Sequence, residues 1–193
     1  MRLLKLAVFS IGVTVAAPLH AADSEAGKAK AEMCVACHGE NGISQMENIP
    51  SLAGQPDLFT QWQLVFFRAG TRKNEQMQPM AEGLDTEDVR NLGAYFAALK
   101  PPVPPKDDDP DLSEKGKQAA AGRRCASCHG ESYAGSKATA RIAGQREDYL
   151  VKALTDYKTN KRSGGNMAAM AEVARPLSDE EIAALAHYLA HLP

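Results

Sequence analysis

Cys34-Val35-Ala36-Cys37-His38 is written a second time as Cys125-Ala126-Ser127-Cys128-His129. A lone C-x-x-C admits zinc, iron–sulfur, disulfide or thiol-redox chemistry. The histidine directly after the second cysteine narrows the reading to c-type haem: two thiols add to the two vinyl groups of one porphyrin, and the adjacent imidazole reaches the iron. These positions use all four cysteines of the 193-residue chain. A Cys2His2 zinc site would need a second histidine at metal spacing, and neither half provides one. The spacing therefore predicts two covalently bound haem c groups, one on Cys34 and Cys37 and one on Cys125 and Cys128, with His38 and His129 as axial ligands. His187 and His191 stand at i,i+4 spacing near the C-terminus. With no carboxylate or cysteine placed in the sequence to complete a site, they read as surface residues near a helix C-terminus.

The repetition extends outward from the pentapeptides, which marks a tandem duplication. Leu52-Ala53-Gly54-Gln55 matches Ile142-Ala143-Gly144-Gln145, and Phe59, Leu64 and Phe67 match Tyr149, Leu154 and Tyr157. Val89, Leu92, Tyr95, Phe96 and Leu99 match Ile182, Leu185, Tyr188, Leu189 and Leu192 at a slightly longer offset, so short insertions lie in loops. Between the copies runs Lys100-Pro101-Pro102-Val103-Pro104-Pro105-Lys106-Asp107-Asp108-Asp109-Pro110, whose prolines and aspartates predict an extended, semi-rigid linker. The expected units are residues 22–100 and 111–193, joined by 101–110. Each is small enough that a held haem would supply much of its apolar bulk.

Residues 1–21 read as a secretory signal: Arg2 and Lys5 precede an apolar run from Leu6 to Leu19, too short for an ordinary membrane span, with Ala21 at the expected cut. No later stretch is apolar enough to span a bilayer. Export to the periplasm fits the cysteines, since c-type haem is attached outside the cytoplasmic membrane and bare C-x-x-C pairs there would oxidise. Without the signal the formal charge is −4, which argues against nucleic acid as a partner. The charge is lopsided: residues 22–100 carry 7 basic and 11 acidic side chains, residues 111–193 carry 12 and 10. Such asymmetry orients a charged partner during encounter.

Each unit reads as all-α. In the first copy Ser24 is the expected N-cap of a helix running into Cys37, Asp57 to Arg68 forms a second helix after Pro56, and a last helix starts at Asp85 or Thr86 with the stripe Val89, Leu92, Phe96 and Leu99. The second copy is expected to repeat this with a helix up to Cys128, another over Asp148 to Lys161, and a last one from the capping box Ser178-Asp179-Glu180-Glu181. Gly27 and Gly116 suit a close approach of the last helix to the first. Tyr95 and Tyr188 read as packing on the first helix or the haem, and Trp62, matched by Lys152, as a packing residue.

The second axial position decides function, because a methionine thioether closes the iron and suits electron transfer. Each copy places two methionines between its second and last helices: Met77 and Met80, then Met167 and Met170. Plain repeat offset pairs Met77 with Met167. Counting back from the last helix pairs Met77 with Met170, each seven residues before a leucine, Leu84 or Leu177. The helix-anchored count is preferred, which makes Met77 and Met170 the expected ligands and Met80 and Met167 the alternatives, otherwise packing residues.

These features together resemble the dihaem cytochrome c4 family over essentially the whole mature chain: the two C-x-x-C-H-G copies, the paired A-G-Q segments, the methionine segments and the acidic starts of the last helices. The resemblance implies two class I cytochrome c domains packed through their haem-propionate faces, each iron His/Met ligated. It implies a non-enzymatic periplasmic carrier, at times loosely membrane-associated, that passes electrons between redox proteins: a quinol-oxidising complex or other donor, and a membrane-bound terminal oxidase. A cytochrome subunit of a larger redox enzyme, of the flavocytochrome sulfide dehydrogenase kind, is the alternative, and a dihaem peroxidase a more distant one. The resemblance also gives the Pro50 carbonyl the role of holding the proximal histidine, with Ala140 at the matching position.

Overall fold

The computed structural model describes residues 21–163 and 167–193. The predicted export signal thus lies outside the described residues except for Ala21. The described chain is helical, with a single isolated β-bridge, Ser136 to Thr139, and no helix among the described residues is long and apolar enough to cross a membrane.

The first copy contains α1 (Ser24–His38), a 3-10 turn (Glu40–Gly42), α2 (Asp57–Arg68), α3 (Met77–Glu82) and α4 (Thr86–Ala98). The second contains α5 (Pro110–Gly122), α6 (Ala126–His129), α7 (Glu147–Lys158), α8 (Ala168–Ala174) and α9 (Asp179–Ala190). In each copy the first helix crosses the last, and the second packs on the last. The crossings are as close as the glycines suggested: a Cβ on Gly27 would overlap the Asn91 carbonyl, and one on Gly116 the Ala184 carbonyl. Tyr95 and Tyr188 lie beside those same glycines, so both pack on the first helix. The last helices contribute Val89, Leu92 and Phe96 to the apolar core of one copy and Ile182, Leu185 and Leu189 to that of the other.

Several boundaries differ from the sequence expectation, each for a local reason. Asp23, rather than Ser24, caps α1, its carboxylate accepting from the Glu25 and Ala26 amides. The helix expected to run up to Cys128 is broken: α5 stops at Gly122, Arg124 takes a left-handed φ of 57°, and α6 restarts. Gly116 to Cys125 is two residues longer than Gly27 to Cys34. In a continuous helix those two residues would turn the cysteines by about 200° away from the face the crossing fixes. The break restores their direction. The second helix of the same copy spans 147–158 rather than 148–161, because Asn160 adopts φ 61° where the first copy has Gly70 at 68°. Between the second and last helices, Met77 and Met80 sit on the short helix α3, Met170 sits on α8, and Met167 is the N-cap of α8. Pro110 is the first residue of α5 and Asp109 its N-cap, so the last two linker residues belong to that helix. Trp62, 42% exposed, packs as expected, stacked on Phe66 at 5.6 Å at the edge of the core.

Candidate haem centres

The α1 helix carries Cys34 and Cys37 three residues apart and delivers His38 in its last turn; α6 does the same for Cys128 and His129, with Cys125 at its N-cap. All four thiols are free, Cys34 and Cys125 half-buried, Cys37 and Cys128 exposed. Burial pushes the Cys34 thiol up to about 11 and raises that of Cys125. Cys34 and His38 line an open cleft together with Ala31, Tyr95 and Phe96.

Each imidazole is buried and fixed by one bond. His38 Nδ1 donates to the Pro50 carbonyl at 2.9 Å, and His129 Nδ1 to the Ala140 carbonyl at 2.8 Å. A carbonyl can only accept, so the proton sits on Nδ1 and Nε2 keeps its lone pair. Burial lowers both histidine pKa values, against the opposing pull of those carbonyl bonds, and favours the neutral form that a metal needs. Replacing proline by alanine at position 140 costs nothing here, because the acceptor is backbone.

The methionine helices end in matching backbone turns. The Leu84 amide donates to the Ala81 carbonyl, and the Leu177 amide to the Ala174 carbonyl, both at 3.1 Å. Ala81 and Ala174 are equally buried, at 1% and 0% exposed. Met77 stands four residues before Ala81, and Met170 four before Ala174. The second copy's extra residues therefore fall ahead of Met170, and include Met167 at the N-cap of α8. Met167 is 3% exposed and buried in the apolar core, whereas Met77, Met80 and Met170 are half-buried.

The resemblance implied that the two copies pack on each other, but the sequence reading did not name the residues that join them. Gln55 and Gln145, the last residues of the A-G-Q segments, are exchanged. Gln145 accepts from the Ser51 amide and donates to the Ser51 carbonyl, both at 2.8 Å. Gln55 donates to the Arg141 carbonyl at 2.8 Å and accepts from its amide at 3.1 Å. Ser51 and Arg141 directly follow the residues whose carbonyls hold the two proximal histidines. Nearby, the Phe59 amide donates to the Lys137 carbonyl, and Arg146 donates to the Ser44 carbonyl. The only signal for this in the sequence was the doubled glutamine itself.

The same face buries two guanidiniums at equivalent positions. Arg72 lies over the Phe67 ring and Arg162 over the Tyr157 ring, at 4.4 and 4.6 Å. Both donate to Gln63 and to the Tyr149 hydroxyl, and among the described residues neither meets a carboxylate. Burial would push the Tyr149 hydroxyl up, but the two guanidiniums outweigh it and bring it down to about 8. Arg162 Nε is buried with no partner. Unpaired buried cations are costly and call for an anion. Haem carries two carboxylates, so this donor set, with the free thiols and the poised Nε2 atoms, fits the group.

Two helical units that each offer paired thiols, an oriented imidazole and a methionine helix define a tandem c-type cytochrome. The family described as "Cytochrome c" matches residues 113–193, and "Cytochrome C oxidase, cbb3-type, subunit III" matches residues 21–96. Cytochrome c4 of Azotobacter vinelandii is 34% identical over 94% of this chain and 94% of its own length. The crystal structure of reduced recombinant cytochrome c4 from Pseudomonas stutzeri superposes with a TM-score of 0.83 at 33% identity, over 90% of this chain and all of that one. A thiosulfate dehydrogenase electron acceptor of Thiomonas intermedia is 31% identical over 97% of this chain and 90% of its own. The chain belongs to the cytochrome c4 family: it is a dihaem electron-transfer cytochrome with two covalently bound haem c groups.

Proposed function

We propose that the chain is a periplasmic shuttle that passes single electrons between respiratory partners, with a terminal oxidase as acceptor. Cys34, Cys37, Cys125 and Cys128 hold the two haems; His38 and His129 are the proximal ligands, and Met77 and Met170 the distal ones. The observation that carries this reading is the matched register of α3 and α8, which sets Met77 and Met170 at equivalent places four residues before a buried alanine. When bound, each haem would supply a ferric–ferrous couple. The residues do the rest: the Pro50 and Ala140 carbonyls fix the imidazoles, and Arg72 and Arg162 would neutralise haem carboxylates. The unequal charge of the two halves orients brief docking.

In the oxidised protein, two His/Met centres give the weak methionine–iron absorption at the red end of the visible spectrum. Met77→Ala and Met170→Ala are each expected to remove about half of that band and to leave one high-spin haem. Loss of the band in Met80→Ala or Met167→Ala instead would overturn the assignment.

A second reading, as electron acceptor of a thiosulfate-oxidising enzyme, is favoured by the relative from Thiomonas intermedia. Stopped-flow reduction by a thiosulfate dehydrogenase, set beside oxidation by a terminal oxidase, separates the two: the physiological partner reacts fast and with steep salt dependence.

A further inference from the structure

The two C-terminal histidines, His187 and His191, are not surface residues at a free helix end. His187, on α9, is 4% exposed, and both of its ring nitrogens face carboxylates. Nδ1 is 3.1 Å from Glu147 Oε2 on α7; Nε2 is 3.2 Å from Asp107 Oδ1 in the linker and 4.0 Å from Asp108 Oδ1. His191, one turn on, has its ring 4.2 Å from that of His187, and its Nδ1 donates to the His187 carbonyl at 2.7 Å. The fold thus supplies the carboxylates that the sequence order did not place beside the pair.

We propose that Asp107, His187 and His191 form a binding site for one divalent cation of the zinc class, separate from the haems. The ligand atoms of the three residues lie within 4.8 Å of one another. Two donors on a tetrahedral zinc at about 2.0–2.1 Å stand roughly 3.3 Å apart, and His187 Nε2 and Asp107 Oδ1 are 3.2 Å apart. Only His191, half-buried at the helix end, has to swing inward. Both imidazoles are also held as metal ligands are held. A ligating histidine donates its other ring N–H to a carboxylate or a backbone carbonyl; His187 has Glu147 for this and His191 has the His187 carbonyl. Two imidazoles and one carboxylate, with water as the fourth ligand, suit zinc and copper rather than calcium or magnesium.

The cation competes with a proton. Ligation needs Nε2 of His187 unprotonated, so the metal displaces a proton there and releases it to solvent. Asp107, Asp108, Glu147 and His191 are the titratable groups that face the ring. The bound ion ties the linker to α9 and, through Glu147, to α7.

The test is isothermal titration of tag-free holo protein with zinc sulfate. One equivalent is expected to bind with a Kd of about 10 μM or tighter, more weakly at pH 6 than at pH 7.5, with a heat that varies with buffer protonation enthalpy and with unchanged haem bands. His191→Ala and Asp107→Asn each weaken binding about tenfold or more, and Glu147→Gln does so by roughly ten- to a hundredfold through the ring it orients. No saturable binding up to 1 mM, wild-type affinity in both His191→Ala and Asp107→Asn, or uptake that shifts the haem spectrum would each overturn the site.

Discussion

Gly27→Ala and Gly116→Ala are each expected to destabilise their half of the molecule by about 3 kcal/mol, the upper range for an overpacked contact. Overpacking by one methyl is often absorbed by a rotamer change. Here the obstructing atoms are the main-chain carbonyls of Asn91 and Ala184, with the Tyr95 and Tyr188 Cβ atoms beside them. A Cβ can be fitted only by lifting the first helix off the last, which carries core residues of each copy. Gly122→Ala is the control: nothing lies within 4 Å of the added carbon, and the change is expected to be neutral or stabilising by up to about 1 kcal/mol. Chemical denaturation followed by far-ultraviolet circular dichroism measures all three. Wild-type stability in Gly27→Ala would mean that α1 and α4 do not cross so closely.

Truncating both interface glutamines, Gln55→Ala with Gln145→Ala, is expected to uncouple the two halves. Each glutamine makes two bonds to one buried stretch of the other copy's backbone. Removing one strands an amide and a carbonyl, at about 2 kcal/mol or more for the pair. The intact protein should unfold in one transition, and the double variant in two, each with a smaller denaturant slope because each exposes less surface. A single transition with an unchanged slope would show that the apolar part of the interface, with Phe66 of α2 packed in the second copy's core, is sufficient alone.

The sequence was most legible where chemistry or capping is local. The haem motifs, the Ser178–Glu181 capping box and the α2 limits at Asp57 and Arg68 need only neighbouring residues, and the structure has the α9 start and both α2 limits where they were expected. The close glycine crossings were legible because so few side chains permit them. What escaped depends on long-range placement. The break before α6 compensates a two-residue insertion whose consequence shows only once the α5–α9 crossing is fixed. His187 looked exposed because the residues that bury it, Asp107 and Glu147, lie 80 and 40 positions away. The interface roles of the glutamines and of Arg72 and Arg162 were not read from the sequence, since nothing in one copy shows that the other covers it.

That reciprocal grip has a further meaning. Gln55 holds the second copy as Gln145 holds the first, residue for residue at equivalent positions. Such self-complementary contact is the mark of an isologous C2 dimer. The linker does not create this interface; it raises the effective concentration of two halves already shaped to pair, to the millimolar range for a short tether. In these terms the chain is a homodimer fused into one polypeptide, and fusion is what freed its halves to diverge in charge and in helix breaks while keeping the grip between them.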